Sequence, residues 1–275
     1  MNPIIWFRRS ITEEGEFKIA QKYFKCVDSR VKVEKNDFVI CRYSALPYFF
    51  EQKFDIEDCV GAKLINSENQ HYYVANLGNW VADLKEHTPE TWYNLQEIPT
   101  NEWGPFILKG ETNSRKSDWF NLCYAPDMPM AREIYWRLSN DPLLQDTKQN
   151  ICIRKYVPLV KLMDGIGAPV SKEFRIFVAF GRPLCGGFYW SNYVDDLPEE
   201  PSVSEVPLDW LREVIGLIGN KINFYSIDVA QKQDGSWCVI ELNDGTMSGL
   251  SCCNADTLYR NLRKVVDKHL SELRW

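Results

Sequence analysis

Residues 224–243, FYSIDVAQKQDGSWCVIELN, decide how this chain is read. Two runs rich in β-branched and aromatic residues, 224–231 and 236–243, flank Asp234-Gly235, a pair that favours hairpin turns. Side chains alternate faces along a strand. The second run therefore predicts Trp237, Val239, Glu241 and Asn243 on one face and Cys238, Ile240 and Leu242 on the other. On the first run Asp228 sits between Ile227 and Val229. A carboxylate in an apolar strand is costly unless it is paired or binds a cation. Asp228, Glu241 and Asn243 form an oxygen-only donor set, which suits Mg²⁺, a hard ion that keeps waters and substrate phosphates as its remaining ligands. The same residues also fit a salt-bridge network with nearby Arg or Lys.

Upstream lies Glu173-Phe174-Arg175 in the apolar run EFRIFVAF, residues 173–180. Alternation puts Glu173 and Arg175 on one face, with Phe174, Ile176 and Val178 on the other. An Arg there offers a planar fork to phosphate oxygens, or to a carboxylate across the strand. Further upstream, Lys109 ends the strand Phe106-Ile107-Leu108 just before the polar loop 110–117, GETNSRKS. That arrangement lets an ammonium reach a nucleotide phosphate while Arg115 or Lys116 closes over it, or leaves Lys109 as a solvated strand end. The loop lacks the G-x-x-x-x-G-K-[ST] pattern. Between the two, NICIRKYVPLV (150–160) is a strand running into a proline hinge. Its backbone can meet the edge of an adenine, or simply end a strand.

The remaining elements are mixed. DFVICRYS (37–44) reads as a strand, with KLINS and YYVANL as shorter candidates, and the first ~100 residues read as α/β. Residues 99–105, PTNEWGP, read as a connection. Apolar residues at helical spacing predict helices over 130–139, around Leu211 to Ile218, and around Leu258 to Leu270. Residues 194–207 read as an exposed loop. The class is α+β rather than a regular βαβ alternation.

A length of 275 residues with 45% hydrophobic and 25% charged residues is enough to bury a sizeable core. The net charge of −6 argues against non-specific nucleic-acid binding while leaving room for a local basic patch. No apolar run reaches the ~20 residues that span a bilayer, and the N-terminus does not read as a signal peptide. The nine cysteines are odd in number, include no C-x-x-C pair and fall largely in apolar runs. They read as reduced, buried thiols in a cytoplasmic setting. No histidine has zinc-ligand spacing to a cysteine pair.

Taken in order, the pieces resemble the ATP-grasp superfamily: lysine strand, loop, helix, hinge strand, E-x-R strand, then a D…E-x-N hairpin. The resemblance spans roughly residues 104–250. The runs VICRYSALP (Val39 to Pro47), Ile65-Asn66-Ser67 and FILKGETNSRK (Phe106 to Lys116) are similar to the R-two-K clade. The resemblance implies two α+β subdomains clasping a nucleotide, a lid at 104–157 and a larger unit with the metal hairpin at 158–275, after an N-terminal pre-ATP-grasp α/β region at 1–103. It implies ATP and Mg²⁺ as cofactors. Lys109 would contact phosphates, and Lys155, Tyr156, Val157 and Ile240 would line the adenine pocket. Arg175 would hold phosphate with Glu173 beside it, and Asp228, Glu241 and Asn243 would ligate Mg²⁺. Arg115 and Lys116 would belong to the closing loop and, with Arg175, serve catalysis.

The implied reaction is carboxylate–amine ligation through an acylphosphate, with a carboxylate and an amine of unknown identity, either of which can belong to a peptide or protein. Arg42 and Tyr43 are candidate substrate contacts, with a structural role as the alternative. Two departures bear on the chemistry. The strand after E-x-R, CGGFYWSN (Cys185 to Asn192), carries no charge, and Asn243 is followed by Asp244 rather than Pro. An ATP-binding assembly or chaperone-like factor with little turnover is therefore the alternative function. Nucleotidyl transfer ranks last, since no K-x-D-G motif is present.

Overall fold

The computed structural model describes residues 1–8, 14–43, 49–112, 114–164, 168–192, 194, 197 and 199–273. Residues 44–47 of the run Val39 to Pro47, Asn113 of the polar loop, and 195, 196 and 198 of the segment 194–207 lie outside the described residues.

The N-terminal part is built on a parallel sheet of β1 (Asn2–Phe7), β2 (Lys25–Val27), β3 (Asp37–Arg42) and β4 (Lys63–Leu64), in the order β2-β1-β3-β4. Helix α1 (Glu14–Ala20) connects β1 to β2. Both faces of β1 and β3 are buried: Ile5, Phe7 and Ile40 on one side, Ile4, Trp6 and Val39 on the other. Burial on two faces is why these strands read as unbroken apolar runs. Helix α2 (Phe49–Lys53) runs into a π-helical stretch, Phe54–Val60, that ends at Gly61 with φ 75°. The stretch YYVANL, expected as a strand, is instead helical, in α3 (Glu68–Ala75), followed by α4 (Leu77–Trp80). Ser67 and Gln70 form a reciprocal capping box that starts α3, and Val74, Leu77 and Trp80 then turn to one core.

The stretch expected as the lid holds a second sheet, β5 (Thr91–Trp92), β6 (Phe106–Gly110), β7 (Tyr124–Ala125) and β8 (Ile151–Lys155), in the antiparallel order β5-β8-β6-β7. Thr91 and Trp92 pair with β8, and Trp92, Leu95 and Ile98 pack in the same core as Phe106 and Ile153. Between β6 and β7 runs the short α5 (Trp119–Leu122); after β7 come α6 (Met128–Ser139) and α7 (Pro142–Asp146). Asp127 caps α6, Pro129 falls in its first turn, and Ala131, Ile134 and Leu138 bury against Phe106, Leu108 and Ile153. Alternation leaves Ile107, Lys109 and Arg154 on the opposite face of the lid sheet, toward the cleft.

A two-stranded ribbon, β9 (Lys161–Asp164) and β10 (Pro169–Ser171), leads to the main sheet. That sheet holds β11 (Glu173–Ala179), β12 (Arg182–Phe188), β13 (Phe224–Gln231) and β14 (Trp237–Asp244), all antiparallel, in the order β12-β11-β13-β14. Phe174, Ile176 and Val178 pack on helix α8 (Leu208–Ile218) through Leu211, Val214 and Ile218. Phe177, Ala179 and Phe224 pack on helix α9 (Ala255–Glu272) and on the N-terminal sheet. Within 194–207, Val203–Glu205 forms a 3-10 turn and Val206 is buried.

The predicted alternation along β14 fails at one place. Asp228 pairs with Glu241, but Val229 pairs with Val239, so Ile240 is an extra residue in a β-bulge. The bulge resets the alternation. Trp237 and Val239 join Leu242 in the core shared with α8, and Glu241 and Asn243 take the opposite face with Asp228.

The N-terminal part grips this hairpin directly. Asn66 Nδ2 donates to Phe224 O at 2.7 Å, and Phe224 N donates back to Asn66 Oδ1 at 2.9 Å. Asn66 Nδ2 also reaches Asp244 Oδ1 at 2.9 Å, while His71 Nδ1 lies 3.0 Å from the other Asp244 oxygen.

Candidate active site

The cleft between the lid sheet and β14 holds a cavity of about 260 Å³. Its wall is organised around one rung of the main sheet. Arg175 on β11 lies opposite Asp228 on β13, and Asp228 lies opposite Glu241 on β14. Neighbouring strands are ~4.8 Å apart, so three charged side chains stand in a row on one face. Arg175 Nε and Nη2 donate to the two Asp228 oxygens at 2.9 and 2.8 Å, and Nη1 donates to Gly249 O at 3.1 Å. Lys109 Nζ reaches across the cleft to Glu241 Oε1, and Asn243 Nδ2 donates to Glu241 Oε2 at 3.2 Å.

The electrostatics follow from burial and these partners. Burial works against the Glu241 carboxylate, but the Lys109 ammonium outweighs it and holds the pKa at about 2. Burial pushes Asp228 above the ordinary range even though Arg175 pulls it down. Glu173, on the same face two residues before Arg175, accepts from Ser171 Oγ at 3.2 Å and Trp190 Nε1 at 3.1 Å. Burial, reinforced by the negative charge of Asp228, pushes Glu173 up to about 7.

Among the described residues no three of His, Cys, Asp or Glu converge as a metal cage. Two facing carboxylates plus the Asn243 amide oxygen form a partial, oxygen-only set, which fits Mg²⁺ with phosphates and water completing the shell. Lys109 and Arg175, which neutralise these carboxylates in the protein alone, have the right charge to turn to phosphates instead.

Lys116 Nζ donates to Tyr189 OH and lies 4.3 Å from the Tyr189 ring centre and 4.9 Å from that of Trp190. Arg175 stacks on the same Tyr189 ring at 5.0 Å. Tyr189 and Trp190, in the 3-10 turn Tyr189–Asn192 after β12, both line the cavity. Sequence reasoning passed over them because it searched that segment for charge; the adjacent aromatic pair was the available signal. At the hinge, Lys155, Tyr156 and Val157 line the cavity, with Ile107 and Ile240 as apolar walls. The Lys155 ammonium turns outward to Glu102, and Tyr156 N donates to Pro105 O at 3.0 Å.

Three expected site residues are engaged elsewhere. Arg115 forms a two-pronged pair with Asp141, the cap of α7, at 2.9 and 2.6 Å, and does not line the cavity. Arg42 is fully buried. It donates to Glu16, to Tyr259, and to the carbonyls of Gly245 and Ser248 at 2.6 and 2.8 Å. Tyr43 donates to the same Glu16. This network clamps the turn after β14 and occupies the Arg42 guanidinium and the Tyr43 hydroxyl, as the structural alternative for them expects.

The sequence model of the ATP-grasp domain, R-two-K clade family 3, matches residues 100–262. A search of curated protein sequences finds no match. Solved structures share the fold at low identity. The RimK domain protein ATP-grasp from Sphaerobacter thermophilus has a TM-score of 0.55 and 13% identity, with 94% of this chain and 98% of that chain covered. D-cycloserine synthetase DcsG has a TM-score of 0.57 and 11% identity, covering 96% and 99%. D-alanine–D-alanine ligase from Bacillus anthracis, complexed with ATP, has a TM-score of 0.52 and 10% identity, covering 96% and 99%.

Proposed function

This chain belongs to the ATP-grasp domains of R-two-K clade family 3, and on that premise we propose that it is a Mg-ATP-dependent ligase joining a carboxylate to an amine through an acylphosphate. One observation carries the reading: Lys109 meets Glu241 across the cavity, and Glu241 heads the rung that continues through Asp228 to Arg175.

In this reading adenine lies between Ile107 and Ile240, against the backbone of Lys155, Tyr156 and Val157. Lys109 exchanges Glu241 for nucleotide phosphates, so neither charge is left bare. Asp228, Glu241 and Asn243 would hold Mg²⁺, which would supply positive charge to offset that of the transferring phosphoryl group. A substrate carboxylate oxygen attacks the γ-phosphorus and ADP leaves. Arg175 and Lys116 hold the phosphoryl oxygens, and an amine then attacks the acyl carbon and expels phosphate. The packing of Lys116 on Tyr189 and Trp190 brings its loop against the cavity, where it excludes water that would hydrolyse the acylphosphate. The carboxylate and the amine belong to small molecules, or either to a peptide or protein. Among the described residues no helix is long and apolar enough to cross a membrane. The cysteines include Cys59 and Cys252, which are exposed rather than buried, and exposed thiols suit a reducing, cytoplasmic setting. The test is release of ADP and phosphate from Mg-ATP in mixtures of carboxylates and amines. Silence in every mixture sinks the ligase, and AMP in place of ADP points to nucleotidyl transfer.

A second reading, an ATP-binding assembly factor with little turnover, is favoured by β12. A Cβ on Gly187 would lie 2.4 Å from the Cys252 backbone, so the chain after β14 packs on β12, and the run Cys185 to Asn192 brings no charge there. This reading predicts ATP-dependent capture of a protein partner with little ADP formed.

A further inference from the structure

We infer that Arg154 is a positioning residue for the metal end of the site, a clamp that holds the β14 bulge and thereby keeps Glu241 aimed at the cation. The inference rests on the nucleotide and metal reading above.

The bulge is what makes β14 serve two purposes. Unbroken alternation would tie Glu241 to the face of Val239 and Trp237, which belong to the hydrophobic core. The extra residue, Ile240, frees Glu241 to face Asp228. A bulge leaves local backbone groups without ladder partners, and in an edge strand these need other bonds. Arg154 Nη1 donates to Ile240 O, the bulge carbonyl, at 2.6 Å. Its Nη2 donates to Thr88 Oγ1 at 2.6 Å, and that hydroxyl donates to Val239 O at 2.9 Å. Val239 N completes the set by donating to His87 O at 2.6 Å. Thus the two residues immediately before Glu241 are held from outside the sheet, and the guanidinium of Arg154 is the part that spans them.

The chemistry of Arg154 argues for a geometric task. Its side chain is buried, its hydrogen-bond partners are neutral oxygens, and its Nε has no partner among the described residues. A buried guanidinium bonded to no carboxylate is an expensive way to fill space, and an apolar side chain would fill it at lower cost. What the guanidinium offers is a rigid fork that fixes two acceptors relative to one another. Arg154 also lines the cavity and immediately precedes Lys155, Tyr156 and Val157 on the hinge strand. A single side chain therefore joins the adenine end of the cleft to the backbone next to the metal ligand. Loosening it lets Glu241 rotate off the rung and frees one adenine wall, Ile240, while Ile107 and the hinge stay in place.

The test separates metal from nucleotide. The full chain is titrated with Mg²⁺ at fixed ATP, reading thermal stabilisation, and ATP binding is measured separately in EDTA. Arg154→Met raises the Mg²⁺ needed for half-maximal stabilisation about 10-fold or more, the scale of a lost outer-shell partner, with ATP binding in EDTA weakened by a smaller factor. Arg154→Lys reaches one of the two acceptors and recovers part of the shift. Thr88→Val gives a smaller shift in the same direction, and these two variants carry the test if Arg154→Met does not fold. The clamp is overturned if the variants weaken ATP equally with and without Mg²⁺, or leave the Mg²⁺ dependence unmoved. A wild-type chain that binds no ATP in either condition overturns the nucleotide reading itself, a result distinct from both.

Discussion

Arg175 and Asp228 stand opposite each other on adjacent antiparallel strands and share two hydrogen bonds of 2.9 and 2.8 Å in a nearly solvent-free place. This pair separates two residues that the sequence treats alike. Asp228 and Glu241 both read from the sequence as Mg²⁺ ligands or members of a salt-bridge network. Truncating Asp228 strands the Arg175 guanidinium, and breaking such a buried pair costs about 3–5 kcal/mol. Asp228→Ala is therefore expected to lose Mg-ATP binding and much of its stability together. Glu241→Gln loses the binding at a smaller cost, since that side chain is 24% exposed at the cleft. Urea unfolding of both variants, with and without Mg-ATP, checks the contrast; equal stabilities would contradict it.

Lys109 and Lys116 are expected to fail differently. Lys109→Ala should weaken nucleotide binding, because its ammonium is the group facing Glu241 across the cavity. Lys116→Ala should leave binding near the wild-type value and lower turnover by about 100-fold, the scale of one lost charge-stabilising donor in a transition state. Equilibrium ATP binding beside steady-state kcat distinguishes them, and a Lys116 variant with weakened binding but intact kcat would reverse the assignment.

The acid range carries two opposing signatures. Glu173 keeps its proton in the folded state up to about 7, against an ordinary 4.5. Its contribution to stability is thus complete below the unfolded value and declines as pH rises through that window. Glu241, held at about 2, contributes above the unfolded value and is lost as pH falls toward the folded one. Glu173→Gln should flatten the decline between about 4.5 and 7 and leave the acid limb intact. Chemical unfolding at a series of pH values measures this, and an unchanged slope in the variant would rule it out.

Arg42 is expected to matter for folding and not for chemistry. Arg42→Leu leaves Glu16 buried without its cation and should cost about 3–5 kcal/mol. Any folded fraction should retain the wild-type KM for ATP, and a raised KM with unchanged stability would return Arg42 to the substrate site.

The readable parts of the site were those set by short-range rules. Strand alternation pairs Glu173 with Arg175 and Glu241 with Asn243, the resemblance orders them with Lys109 and Asp228, and the structure brings Lys109, Glu241, Asp228 and Arg175 together. The bulge was not readable, because a one-residue slip is decided by the partner strand and the core on the far side. Arg154 was passed over for the same reason: its acceptors lie far along the chain, at Thr88 and Ile240. Arg115 shows the limit of composition, since a basic residue in a polar loop is drawn off by the carboxylate capping a nearby helix. The helix at 68–75 was missed although Ser67 and Gln70 spell its capping box, because YYVANL taken alone has strand-like side chains.

The grip of the N-terminal part on the hairpin bears on how this protein can be taken apart. The stretch that matches the family begins at residue 100, beyond both Arg42 and Asn66. Yet Arg42 fastens the carbonyls that follow β14, and Asn66 stands in for a neighbouring strand at Phe224. A fragment cut at that boundary keeps every group assigned to ATP and loses the splint that keeps them aligned. Recombination between relatives meets the same constraint: Glu16, Arg42 and Tyr259, like Asn66 and Asp244, are inherited usefully only as sets.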